Sequence, residues 1–428
     1  MKRAEETTGT IDNLFRRESG RLVSVLVRIF GPHNLALAED VVQDALCEAL
    51  ETWKLGSVPD NPGAWLIRVA RNRAIDIIRR QQYFKSVSAD LMTLLKSEET
   101  LVQTIDSLLF ETEIQDDQLR MMFACCTPDI PKDSQVALML RTLCGFGVGE
   151  IAHSYLVPEK TIEQRLVRAR KVLRNQGSLL EISDDAQISE RIGAVHETLY
   201  LLFNEGYHGS HEESTVREDL CAEAMRLCKM LVEYPRTNTP KGCALLALMC
   251  FHAARIETRI DSEGSLITLE FQDRSRWNTE LISWGLHWLN ESASGPEMSE
   301  FHLEAAIALE HCKADSLKNT DWAAIVSLYD ALVLKNPSPV VALNRAIAIG
   351  QSRGPDAGLQ ALEKITRADM LENYPFLWAA YADFHSTLGN FPTAHKFLQK
   401  GLRCARGEAE RKYFENKIRQ AKTAQTIK

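Results

Sequence analysis

No apolar run in these 428 residues approaches the roughly 20 that a membrane-crossing helix needs; the richest, residues 242–251, is half that length. Residues 1–10 are charged and hold no apolar core, so a secretory leader is not expected and the cytoplasm is the expected compartment. None of the ten cysteines forms a Cys-x2-Cys pair, and most sit among helical apolar residues. Neither a zinc site nor a disulfide framework is expected. Alternating Val, Thr and Tyr are scarce while Ala, Leu, Glu and Arg dominate, which excludes a β-rich fold. A nucleophile elbow and a phosphate loop are also missing, so no enzyme and no cofactor are expected.

What the chain does have is alternating charge. The total is −8, which argues against indiscriminate coating of nucleic acid but hides the pattern. Residues 65–85 carry six bases against Asp76 alone; residues 86–117 carry eight acids against Lys96 alone; residues 158–174 carry six bases against Glu159 and Glu163. Basic, acidic and basic segments therefore precede a long mixed remainder.

The periodicity predicts an all-α fold. Apolar positions near a 3.6-residue repeat give helices over 14–30, 39–53 and 64–82, with Gly31-Pro32 and the loop 54–63 between them. In the third, Trp65, Val69, Ile75 and Ile78 are expected inward, leaving Arg68, Arg71, Arg73, Arg79 and Arg80 outside. A second group spans 118–174. There 150–155 is a short helix, Pro158 opens the next, and Ile162, Leu166, Ala169 and Leu173 face the core. Two helices joined by a tight turn make the helix-turn-helix pattern, whose second helix enters a DNA major groove. Arg165, Arg168, Arg170, Lys171 and Arg174 supply phosphate-neutralising charge and Gln164 a base contact, or else they form a solvated face. Trp65 is either a core residue or a stacking platform beside the arginines. The acidic face of 39–51 either docks a basic partner or is simply wet.

The last third matches itself at an offset of about 34: Ala346 with Ala380, Ala348 with Ala382, and Gly354 with Gly389 at 35. Ile325, Leu359 and Ala394 take equivalent places in second helices. Paired helices stacked into a solenoid, as in TPR proteins, are the expectation. The expected domains are 1–85, an acidic linker 86–117, 118–176 and 186–428.

Two motifs carry a resemblance. AEDVVQDALCEAL at 38–50, followed by WLIRVARNRAIDIIRR at 65–80, resembles region 2 of an extracytoplasmic-function sigma factor. EIA at 150–152 with TIEQRLVRAR at 161–170 resembles region 4 of the same family. LFNEGY at 202–207, QDRSRW at 272–277, TDW at 320–322 and PVVALNRA at 339–346 resemble the extension of the subgroup that ends in a TPR-like domain.

The resemblance implies a bacterial initiation factor whose partners are core RNA polymerase and promoter DNA. Asp40, Asp44 and Glu48 fall in the helix that docks on polymerase. Trp65, Arg68, Arg71, Asn72, Arg73, Arg79 and Arg80, with the preceding loop, fall where the minus-10 element is read and opened. Glu163, Gln164, Arg165, Val167, Arg168 and Lys171 fall where the minus-35 element is read. Two positions depart from the family: Gly63 replaces a common aromatic, and Glu163 stands where arginine is common, which favours a cytosine amino group. The acidic linker is either threaded through polymerase or a solvated spacer.

In the extension, Glu205, Arg255, Asp273, Arg274, Arg276, His311, Asp321, Asn344 and Arg345 interrupt apolar helices. Such groups must be paired. They form either a satisfied inter-helix network or a regulatory groove (Glu205, Arg255, Asp273, Arg276, Asp321, Asn344, Arg345) that holds a peptide or the chain's own regions 2 or 4. An enzyme site on His311 and Asp321 has no supporting motif. The alternative to a sigma factor is a helix-turn-helix regulator with a TPR interaction domain that does not dock on polymerase.

Overall fold

The computed structural model describes residues 2–55, 58–80, 111–155, 157–175, 185–207, 217–261, 264–366, 368–405 and 407–426. The described chain is helical, as the periodicity predicts; its only strand pairing is an isolated bridge between Ile260 and Leu266. It divides into two compact units: residues 1–202 with 233–237, and residues 203–232 with 238–428.

The first unit contains α1 (Lys2–Phe30), α2 (Leu35–Leu55), α3 (Pro62–Arg80), α4 (Glu111–Cys125), α5 (Lys132–Thr142), α6 (Val148–Ser154), α7 (Glu159–Asn175) and most of α8 (Asp185–Tyr207). Gly31 ends α1 at φ 85°, a conformation that a Cβ disfavours, and Pro32 then opens a short 3-10 turn into α2. Helix α2 buries Ala38, Val41, Val42, Ala45 and Ala49, while Leu50 is exposed. Asn61 caps α3 by accepting the Ala64 amide at 3.0 Å, with Pro62 in the first turn. The buried stripe of α3 is Leu66, Ala70, Ala74 and Ile75. Trp65, Val69 and Ile78, expected inward, are only half-buried, because the 4-residue spacing from Leu66 sets the inner face one position later than the sequence reading placed it.

Helix α4 starts at Glu111, so it crosses the expected linker boundary at 117. Asp117, the last acid of that expected linker, has no exposed surface and bonds Arg120 at 2.6 Å and Arg28 of α1 at 3.3 Å. The rest of the expected acidic linker, 86–110, lies outside the described residues, as do the side chains of Arg79 and Arg80. Helices α1–α3 and α4–α7, expected as separate domains, share one unit. Gly20 of α1 lies so close to α5 that a Cβ there would overlap the carbonyl oxygen of Leu143.

The second unit continues with α9 (Glu218–Glu233), α10 (Pro240–Ala253), α11 (Thr279–Glu291), α12 (Glu300–Lys313), α13 (Trp322–Lys335), α14 (Pro339–Arg353), α15 (Pro355–Glu363), α16 (Pro375–Thr387), α17 (Phe391–Cys404) and α18 (Glu408–Thr426). The richest apolar run is α10, whose residues 242–251 are all buried. From α12 onward each helix packs on its sequence neighbours. Ala346, Ala348, Ala380 and Ala382 are buried at matching places, and Gly354 (φ 96°) and Gly389 (φ 77°) turn the chain after α14 and α16. Proline begins α10, α14, α15 and α16, where its missing N–H costs nothing.

Candidate functional site

Helix α2 presents Asp40 and Asp44 to solvent and half-buries Glu48; helix α3 lies beside it with Arg68 and Asn72 outward. A cleft of about 410 Å³ between them is lined by Val41, Asp44, Glu48, Val69, Asn72, Arg73, Asp76 and Ile77. Arg73 reaches across it, donating to Asp44 at 2.8 Å and to Glu48 at 2.9 Å. The carboxylates expected to meet polymerase and an arginine expected to meet DNA therefore neutralise one another. Exposed pairs of this kind contribute about 0–1 kcal/mol, so either partner is readily exchanged. Arg71 donates to the Asn72 amide oxygen at 3.0 Å, which orients that side chain.

Trp65 packs edge-on against Trp53 at 5.5 Å, and Trp53 in turn meets Phe15 at 5.4 Å. The indole is thus held in an aromatic cluster between α1, α2 and α3, with part of its surface open. Gly63 faces the Glu18 carboxylate, and a Cβ there would lie 3.3 Å from its Cδ. Glu18 is buried and accepts from Arg21 at 2.9 Å. A bulky aromatic at position 63 would meet that pair.

Helix α7 buries Ile162, Leu166, Ala169 and Leu173, the stripe the sequence predicts. Glu163, Gln164, Val167, Arg168 and Lys171 are exposed on the opposite side, Val167 by 64%. Not every base on this helix faces outward. Arg165 donates to Asp133 of α5 at 3.1 Å. Arg170 donates to Glu39 of α2 at 2.6 Å, with Arg141 of α5 at 4.0 Å from the other Glu39 oxygen. Glu39, expected on an acidic face that either docks a basic partner or is wet, is buried at this seam. Arg168, Lys171 and Arg174 have no ion pair among the described residues.

In the second unit the polar set does not gather into one groove. Asp273 caps a 3-10 turn through the Ser275 amide and hydroxyl, bonds that hold its carboxyl below the usual range. Asp321 caps α13 through the Ala324 amide at 2.9 Å. Arg345 holds Asp330 at 2.5 Å, and Arg276 and Asn344 are exposed. Glu205 is half-buried on α8. Arg255 donates to the Tyr207 hydroxyl at 2.7 Å and meets His252 Nδ1 at 2.9 Å. Arg274, which the regulatory set left out, clamps the end of α12 through the carbonyls of His311 (2.8 Å) and Ala314 (2.9 Å). Arg259 was missed altogether: it is buried over the Tyr207 ring at 3.7 Å, and an arginine at the edge of a turn carries no periodic signal of burial.

Burial first, then the charges of Arg255 and Arg274, push His311 down to about 3. Its unfolded counterpart binds a proton near 6.5, so the folded state loses stability as pH falls from about 6.5 toward 3 and keeps it above. The slope difference between the wild type and His311→Gln is expected to reach up to about 1.4 kcal/mol per pH unit, read by urea denaturation between pH 6 and 4. Parallel slopes would show that His311 titrates alike in both states.

Comparisons with known proteins align with these parts. Residues 14–83, from within α1 to the end of α3, match the family Sigma-70 region 2. Residues 191–293 match a family of unknown function, DUF6596. A protein of Rhizobium meliloti described as uncharacterized is 33% identical over 414 residues, 96% of this chain and 96% of its own. The ECF RNA polymerase sigma factor SigX of Bacillus subtilis is 26% identical over 158 residues, 36% of this chain and 78% of its own. No solved structure matches the chain. The region 2 match and the likeness to SigX support a sigma-factor role. The chain belongs to one family with the Rhizobium meliloti protein, and its amino-terminal helices are a sigma-70 region 2 domain.

Proposed function

We propose that this protein binds core RNA polymerase, directs initiation at promoters with two recognition elements, and uses its second unit to set the output. The observation that carries the reading is the region 2 match over α1–α3 combined with the exposed face of α7. On this reading Asp40, Asp44 and Glu48 dock on polymerase, while Trp65, Arg68, Arg71, Asn72 and Arg73 meet the minus-10 strand. Helix α7 acts as the second helix of a helix-turn-helix. Gln164 and Glu163 read base edges, Val167 suits a thymine methyl, and Arg168 and Lys171 hold phosphates.

The alternative, a DNA-binding regulator that does not dock on polymerase, draws on Arg73, which already occupies Asp44 and Glu48. One experiment separates the two. The purified full-length protein is mixed with core polymerase and a randomised promoter library, and run-off transcripts are sequenced. Transcripts from a defined promoter class are expected, and Asp44→Lys is expected to weaken polymerase binding at least 10-fold while Arg73→Ala does not. DNA binding without transcripts, with Asp44→Lys unaltered in polymerase binding, would favour the alternative.

Regulation by the second unit is best tested by substitution. Truncation at 186 would remove α8, whose Thr198 and Glu197 bond Cys126 and Lys132 inside the first unit.

A further inference from the structure

Helix α11 is apolar on most of its surface, yet Gly285 is its only buried residue, set against the Phe251 ring. Leu281, Trp284 and Trp288 follow one another at three and four residues, a single stripe. That stripe faces a cavity of about 510 Å³ instead of another helix. Opposite stand Ala222, Met225 and Lys229 of α9, with Leu246 and Cys250 of α10 forming the floor. The volume lies in the range of small-molecule sites, about 300–1,000 Å³, and is short for a docked helix of several turns.

The chemistry of the wall narrows the occupant. Two indoles four residues apart give flat apolar surfaces, and the Met225 thioether favours contact with rings. Burial pushes the thiols of Cys221 and Cys250 up to about 12, so the floor carries no charge. Trp284 keeps 45% of its surface exposed at the mouth, with the Lys229 ammonium 5.3 Å above its ring. The lining also carries Glu218, Glu257 and Arg226, the last paired with Glu223. Of the lining charges, Lys229 is the one set over an indole, and that cation suits a ligand that carries an acidic group on a ring system.

The geometry points to a binding site between α9, α10 and α11 for a small, ring-bearing apolar molecule with an anionic substituent. Every lining residue lies in the second unit and within or beside the 191–293 match, so the site gives that family of unknown function a ligand-binding role. It does not depend on the sigma-factor reading and stands or falls separately.

The test uses the full chain and two fluorescent probes, anilinonaphthalene sulfonate and the neutral N-phenylnaphthylamine. Both are expected to bind saturably, one per chain, with quenching of tryptophan emission. Ala222 is exposed, so Ala222→Phe fills the mouth without disturbing the core and is expected to weaken both probes at least 10-fold. Lys229→Gln is expected to weaken the sulfonate several-fold and leave the neutral probe unaltered. Absence of saturable binding, or equal binding to Ala222→Phe with an unchanged melting temperature, would overturn the site. Equal loss of both probes in Lys229→Gln would overturn the anionic substituent.

Discussion

Asp117→Ala is expected to destabilise the first unit by about 3–5 kcal/mol, the cost of leaving buried charge uncompensated. The carboxylate has no exposed surface and bonds Arg120 within α4 and Arg28 on α1. Removing it takes a carboxylate from two guanidiniums at the contact between those helices, of which Arg120, 14% exposed, is the one water answers least. A domain stable by about 5–15 kcal/mol loses a large share of its margin that way. Because five of the seven tryptophans (277, 284, 288, 322 and 378) belong to the second unit, indole emission is a poor reporter of this change. Hydrogen exchange of peptides from α1 and α4, followed in rising urea, reads the right unit. Their protection should collapse at lower denaturant while peptides from α14 to α17 keep theirs. If α1 and α4 hold their protection, the pair does not support the unit. Asp117→Asn, which keeps shape and accepts one of the bonds, should fall between.

Asp117 also shows where sequence reading stops. It sits in a run of eight acids against one base, and a charge run is usually solvated. What overrides that prior is a partner 89 residues away, and long-range pairing leaves no local trace. The burial of Glu39 is illegible for the same reason: its place on an acidic face is local, its partners on α5 and α7 are not. Helix α7 was legible because a 4-3-4 apolar spacing on a polar helix admits one inward face. In α3 the apolar residues surround more of the helix, so periodicity could not choose between Trp65 and Leu66. The cleft between α2 and α3 was half legible: its acids and bases were found, but not that Arg73 closes on the acids. The cavity beside α11 was invisible, since a tryptophan stripe reads as core whether or not anything covers it.

Holding α2 against α7 is expected to abolish initiation at promoters with two recognition elements. Elements centred 25 positions apart lie about 85 Å from one another on B-form DNA, at about 3.4 Å per step. In the structure Arg168 and Asn72 are joined through Arg170–Glu39, five residues of α2, and Asp44–Arg73. With helical rise and extended side chains that path spans at most roughly 45 Å. On the proposed reading, both helices cannot reach their elements while the seam is closed, so initiation would require Glu39 to release Arg141 and Arg170. Glu39→Cys with Arg170→Cys, joined by a short reducible bis-maleimide, fixes the closed seam. Cys47 is exposed and Cys404 half-exposed, and both are replaced by serine, whereas burial pushes the half-exposed Cys312 up to about 11 and slows its reaction. The cross-linked protein is expected to initiate at under about 1% of the reduced level, a loss of at least about 2.7 kcal/mol in the initiating complex. Reduction should restore it, and the uncross-linked double variant should match or exceed the wild type because the ion pair no longer holds the seam. Full activity with the cross-link intact would mean that the two readers work from one rigid body, and the assignment of α7 to the distal element would fall with it.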